Sequence, residues 1–207
     1  MINYLLFGSI AYLLGSIPTA VWVGKAKYGV DVREHGSKNA GATNTFRVLG
    51  KKPGIVVLFI DIVKGFSAVI IPWGIGLGHW PEDELIQVQL VAAICAIIGH
   101  VLPIFAGFNG GKGVATSLGV VIAIHPAAAG ICLTLFLITF LITKYVSLGA
   151  MAAAVCFPLM IILYFKVVSL WLIAFSIILS IAVIVVHRKN IRRLIKGEEN
   201  RMNLFNR

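Results

Sequence analysis

Seven apolar runs, drawn at roughly 2–24, 54–78, 86–106, 113–124, 127–143, 146–165 and 167–187, constrain this 207-residue chain more than any other feature. Most come close to or pass the length, about 18–20 residues, that a helix needs to cross about 30 Å of hydrocarbon. At 59% hydrophobic and 13% charged residues, a soluble domain of this size could not hide so much apolar surface. The expected fold is an all-α integral membrane protein, a seven-transmembrane-helix bundle forming a single domain over 1–207. The first run is too long for a cleaved signal peptide and has no basic start, so it reads as a retained helix. The fourth is too short to span upright. The His125-Pro126 step leaves open whether runs four and five are two helices or one bent unit.

Charge orients the bundle. Lys25, Lys27, Arg33, Lys38, Arg47, Lys51 and Lys52 follow the first run, and Arg188, Lys189, Arg192, Arg193, Lys196, Arg201 and Arg207 follow the last. Between them, Glu82, Asp83 and Glu84 follow run two, while Lys112, Lys144 and Lys166 follow runs three, five and six. With the N-terminus outside and the C-terminus cytoplasmic, sixteen loop and tail cations face the cytoplasm and Lys166 alone faces out. The net charge of +10 thus marks a cytoplasmic face and anionic headgroups, and no nucleic-acid partner is expected. In the 188–207 tail, Ile191, Leu194 and Ile195 recur at helical spacing among arginines and lysines, as in a short helix lying on membrane lipids. Asp61 and Lys64, three apart in run two, are expected to pair on one helix face. Cys95, Cys132 and Cys156 read as small buried hydrophobes.

Four polar clusters fall on one side of this topology, at the cytoplasmic ends of helices. The first, His35–Arg47, offers Ser37, Asn39, Thr43 and Asn44 as neutral hydrogen-bonding groups and Lys38 and Arg47 as charge. Gly36 and Gly41 permit close backbone approach. In the second, Gly107–Thr116, the run Asn109-Gly110-Gly111-Lys112-Gly113 opens a helix whose first amides and dipole favour an anion. It is not a Walker A loop, because Ala106 and Gly113 stand where glycine and Ser or Thr belong. A tight turn with a snorkelling lysine would be written the same way. The third cluster contains Ser147 and the fourth His187 and Asn190, three apart on one helix face.

Several chemistries are disfavoured. Acids on the inner side are scattered, so a magnesium-dependent phosphotransferase lacks ligands, and neither a metal nor a cofactor is expected. No Gly-x-Ser-x-Gly elbow and no His-x-x-x-x-Asp acyltransferase signature is present; His79 precedes Glu84 at that spacing but on the wrong face.

Taken in order, Gly36-Ser37-x-Asn39-x-Gly41-Ala42-Thr43-Asn44 with Arg47, Phe108-x-Gly-Gly-Lys112-Gly-Val-Ala-Thr116, Tyr145-Val-Ser147, and His187-Arg-x-Asn190-Ile-x-Arg193-Leu with Gly197-x-Glu199 resemble the bacterial acyl-phosphate:glycerol-3-phosphate acyltransferases. The resemblance runs through almost the whole chain. It implies a multi-pass enzyme of the bacterial inner membrane with its active site on the cytoplasmic side, moving a fatty acyl group from membrane-borne acyl phosphate to the 1-hydroxyl of glycerol 3-phosphate. The products are lysophosphatidic acid and phosphate, and a monomer is the expected unit.

Under that resemblance Ser37, Arg47 and Lys112 hold phosphate oxygens and Ser147 adds a hydroxyl. Gly36, Asn39, Gly41, Thr43, Asn44, Gly110, Gly111 and Gly113 shape the binding loops. His187 and Asn190 orient glycerol 3-phosphate or its hydroxyl. The base stays open between His187 and a substrate phosphate oxygen. The alternative from another class is a transporter of a small phosphorylated anion, although the chain shows no internal repeat and no midplane cluster of the kind such proteins use.

Overall fold

The structure, a computed structural model, describes residues 1–76 and 80–202, without the side chains at 82 and 83. His79 and Arg207, both weighed above, lie outside the described residues. Among those residues every regular element is helical. They form two compact units, Met1–Ile124 and His125–Arg207.

The first unit contains α1 (Ile2–Gly15), α2 (Thr19–Tyr28), α3 (Ala42–Leu49), α4 (Lys51–Gly76), α5 (Glu82–Val101), a 3-10 turn at Ile104–Ala106 and α6 (Val114–Ile124). Pro18 divides the first apolar run, because proline brings no N–H and disfavours helical geometry at Ile17. Beyond it the helix resumes and runs to Tyr28, past the expected end at 24, where Gly29 stops it in the left-handed conformation (φ 65°). Pro72, by contrast, sits inside α4 without ending it.

Small residues set the packing here. A Cβ on Gly15 would collide with Ala96 O, and one on Gly99 with Tyr12 O, so α1 and α5 meet backbone to backbone. Gly65 against Thr116 O and Gly119 against Ile62 O do the same for α4 and α6. The buried cluster between the long helices is all alanine: Ala11, Ala68, Ala92 and Ala96. Contacts this close fix the height of α6 against α4, and with it the loop that leads into α6.

The second unit contains α7 (Pro126–Thr143), α8 (Val146–Leu159), a π-helical turn at Met160–Tyr164, α9 (Leu170–Val186) and α10 (Arg188–Ile195). His125 Nδ1 accepts the Ala128 N–H at 3.2 Å and Pro126 occupies the first helical position, a strong start signal. Runs four and five are therefore two helices, one ending at Ile124 and the other starting at Pro126. Pro158 lies just ahead of the π-helical turn, where its missing donor loosens the helical ladder. Between α9 and α10 the axis bends by 58° at His187. α10 carries four cations while Ile195 is 81% exposed, the amphipathic character expected of a surface helix.

Among the described residues five helical stretches are long and apolar enough to cross a membrane, six if α9 and α10 count as one bent span. At 11 residues α6 rises about 16 Å, roughly half the hydrocarbon thickness. Elsewhere Ile142, Val168 and Leu170 are more than three-quarters exposed, a surface suited to lipid rather than water.

Candidate active site

In the first unit the 31–47 segment is organised by a single buried amide. Asn44, on the first turns of α3, is 1% exposed. Its Oδ1 accepts the Ser37 N–H at 2.8 Å, and its Nδ2 donates to Val32 O at 2.7 Å and His35 O at 3.1 Å. Gly36 turns the chain through φ 59°, and a side chain there would press on Asn44 Oδ1. Asn44 therefore shapes the loop from inside. Ser37 and Arg47 stay exposed at its surface, with Asn39, Gly41 and Thr43 half-buried.

A second device ties this segment to the glycine loop. Arg33 donates through Nε and Nη2 to the two Asp31 carboxylate oxygens at 3.0 and 2.7 Å, and through Nη1 to Ala106 O at 2.8 Å. Lys25 adds a contact to Asp31 at 3.2 Å. The Arg33 guanidinium holds the Asp31 carboxyl well below the usual carboxylate range, against the opposing effect of burial. Asp31, an acid beside the first loop, is thus already neutralised.

The glycine loop itself is docked on the end of α5. The Gly110 N–H donates to Val101 O at 3.2 Å and the Gly111 N–H to His100 O at 3.1 Å, which satisfies carbonyls that a helix C-terminus leaves open. Those two amides hold the loop. The donors that can face an anion are the first-turn amides of α6 and the half-buried Lys112, with Gly113 at φ 76° making the turn into the helix. A Cβ on Gly111 would stand 2.9 Å from Ala40 O, so the first and second sequence clusters meet here. Deeper in, Lys64 Nζ and Asp61 Oδ1 form the expected pair at 2.9 Å, both buried.

The second unit joins the third and fourth clusters through a residue left without a role in the sequence reading. Glu199 Oε1 accepts the Ser147 hydroxyl at 2.9 Å and the Asn190 side-chain amide at 2.6 Å, while Oε2 accepts Arg193 Nε at 2.6 Å. All but Arg193 are buried. Burial pushes the Glu199 carboxyl up, but the three donors, Arg193 foremost, outweigh it and hold it below the usual glutamate range. The signal in sequence was thin: two adjacent acids, Glu198 and Glu199, beyond Gly197 in a tail otherwise dominated by cations.

His187 ends α9 with its ring 3% exposed, and Nδ1 lies 2.8 Å from Val183 O. A carbonyl only accepts, so Nδ1 carries the proton, and in the neutral ring Nε2 is the acceptor nitrogen. That is the tautomer a general base requires.

The glycerol-3-phosphate acyltransferase family description matches residues 5–197. The chain belongs to that family. A glycerol-3-phosphate acyltransferase of Chlorobaculum tepidum is 42% identical, with 98% of this chain and 97% of that protein aligned. The crystal structure of PlsY (YgiH), described as an integral membrane glycerol 3-phosphate acyltransferase in its glycerol 3-phosphate form, superposes with a TM-score of 0.88 at 38% identity, covering 98% of this chain and 99% of that one. Its lysophosphatidic acid form gives 0.84 at 37% identity, covering 97% and 96%. Together with the apolar helices, these likenesses make the chain a multi-pass membrane protein. Membership of the glycerol-3-phosphate acyltransferase family also covers every one of the four clusters, since the matched span runs from α1 past α10.

Proposed function

We propose that this protein transfers a fatty acyl group from acyl phosphate to the 1-hydroxyl of glycerol 3-phosphate, giving 1-acyl-glycerol 3-phosphate and inorganic phosphate. The observation that carries this reading is the junction at Ala40 and Gly111, where two donor-rich loops meet beside Lys112 and the start of α6 while the neighbouring acid, Asp31, is paired. Two phosphate-bearing substrates need such a surface. Family membership supplies the acyl acceptor.

In this mechanism the glycerol hydroxyl attacks the acyl carbon, its C–O bond to the phosphate breaks, and phosphate leaves with the electron pair. The hydroxyl proton passes to His187 Nε2 or to a phosphate oxygen. Lys112, Arg47 and Ser37 hold phosphate oxygens and His187 and Asn190 orient the acceptor, while the one hydroxyl proton of Ser147, expected at a phosphate, goes to Glu199 instead. Because an acyl phosphate is already activated, orientation and charge compensation supply the rate, with no metal or cofactor called for.

The same reading places the chain as one domain and one monomer in the bacterial inner membrane. In that reading seven helical segments cross the membrane, with the N-terminus outside and the C-terminus and active site on the cytoplasmic side. The distribution of sixteen cations against one supports that orientation. The deciding assay gives purified protein in detergent acyl phosphate and glycerol 3-phosphate. Release of 1-acyl-glycerol 3-phosphate with equimolar phosphate is expected. No product, together with uptake of glycerol 3-phosphate into vesicles, would replace the enzyme with a transporter.

A further inference from the structure

One cluster of polar side chains takes no part in the chemistry above, yet it lies directly under the loop that carries Lys112. Asp61 and Lys64 on α4 are 1% and 5% exposed, and a buried ion pair of this kind is an expensive way to fill space in an apolar unit. Each member has a further partner. Asp61 Oδ1 also accepts the Thr19 hydroxyl at 3.1 Å, and Lys64 Nζ donates to Ile17 O at 3.0 Å, next to the Pro18 break. On the other side stands His100, the penultimate residue of α5 and 6% exposed. Its Nδ1 is 3.7 Å from Asp61 Oδ1 and 3.1 Å from the Thr116 hydroxyl on the first turn of α6.

The other edge of the ring faces the glycine loop. A Cβ on Gly111 would collide with His100 Nε2, and one on Gly110 would collide with His100 O. Gly111 is not among the glycines with positive φ, so its backbone would accept alanine; the imidazole, with Ala40 O beside it, is what leaves no room. The cavity that remains among Thr19, Lys64, His100 and Gly110 is about 10 Å³, enough for one water at most. His100 thus contacts the loop three ways: by its carbonyl to the Gly111 amide, by its ring edge to Gly111, and by Nδ1 to the helix that the loop opens.

We infer that His100 is a positioning residue for Lys112, its ring serving as the spacer between the buried Asp61–Lys64 pair and Gly111. It touches no substrate. It sets the height at which the glycine loop presents Lys112 and the first turn of α6. This rests on the reading that Lys112 holds a substrate phosphate.

The test is a double-mutant cycle on the purified full chain, with His100→Ala, Gly111→Ala and the double variant. In each, kcat and KM are measured for both substrates, alongside thermal unfolding in detergent. Gly111→Ala is expected to lose most of kcat/KM. His100→Ala is expected to raise KM for a phosphate-bearing substrate more than it lowers kcat. The double variant is expected to be more active than Gly111→Ala alone, with a coupling of about fivefold or more, because the new methyl enters space the ring has left. His100→Gln, which carries a polar atom near the Nε2 position, should recover part of the KM, and it stands in for the alanine variant if that one does not fold. Losses that simply multiply, or a KM in His100→Ala equal to that of the wild type, overturn the inference. The controls separate it from the reading beneath it: a wild type without acyl transfer sinks the function, and a fully active Lys112→Ala sinks the role of Lys112. Both can hold while the cycle fails.

Discussion

Asn190 donates its side-chain amide to Glu199 Oε1 at 2.6 Å, so a residue of α10 and an acid nine positions later share one oxygen with the Ser147 hydroxyl. Two clusters that sequence puts forty residues apart are thereby made one, and the joint is a single carboxylate that three donors keep ionised.

Replacing that carboxylate should cost more than replacing any one donor. Glu199→Gln keeps the volume but turns one acceptor into a donor facing donors, a penalty of about 1–3 kcal/mol, or roughly five- to 150-fold where it is felt in turnover. Ser147→Ala removes one bond only and should stay closer to wild type. Turnover and thermal unfolding of both variants, measured side by side in detergent, check the ranking.

Lys112→Ala should lower turnover even at saturating substrate, by roughly 10²–10³-fold, if the ammonium stabilises charge that grows in the transition state. A variant that recovers fully once substrate is raised would reduce Lys112 to a ground-state binder.

His187→Ala separates the two routes for the proton. With Nε2 as the base, turnover should fall by about 10²-fold or more and not recover at high substrate. Near-complete turnover instead assigns the proton to a phosphate oxygen and leaves His187 as an orienting residue.

Arg33→Lys should loosen the tie between the first loop and Ala106, because an ammonium cannot make the bidentate contact to Asp31 and reach Ala106 O together. The expected signature is a higher KM with the fold intact, read from substrate titrations and the unfolding temperature.

Acid should act through Asp31 and Glu199 in one direction. Both carboxyls are held below their ordinary values in the folded chain. Their contribution to stability is therefore complete above the unfolded carboxylate range, about pH 4–4.5, and is lost as pH falls below it through the folded values. Thermal unfolding should be insensitive to these two groups between pH 5 and 8 and fall below pH 4. Asp31→Asn should flatten part of that acid slope while lowering stability at neutral pH.

Apolar runs carried the class, and the exposure of Ile142, Val168 and Leu170 fits the lipid-facing surface those runs imply. The loops were legible as donor-rich and acid-poor. Their internal wiring was not. That Asn44 would turn inward while Ser37 and Arg47 stay outside depends on which side of α3 packs on the chain, and an eight-residue helix of mixed polarity does not declare it. Nor did sequence reveal that the Gly110 and Gly111 amides would cap α5, because which carbonyls a helix leaves open is settled only by where its partner loop returns. Glu199 and His100 were hidden for a related reason: the partner that ties each to another element, Ser147 for one and Asp61 for the other, lies 52 and 39 residues away, beyond any local pattern.

The three hydrogen bonds of Asn44 have a kinetic consequence. If this loop binds substrate as proposed, being held by a side chain of its own chain leaves it less freedom to lose on binding, which lowers the conformational penalty on apparent affinity. Capture of a small dianion then depends on diffusion and on the field of the surrounding cations, which salt screens. Ionic strength, more than temperature, becomes the natural throttle on how fast this protein finds its soluble substrate.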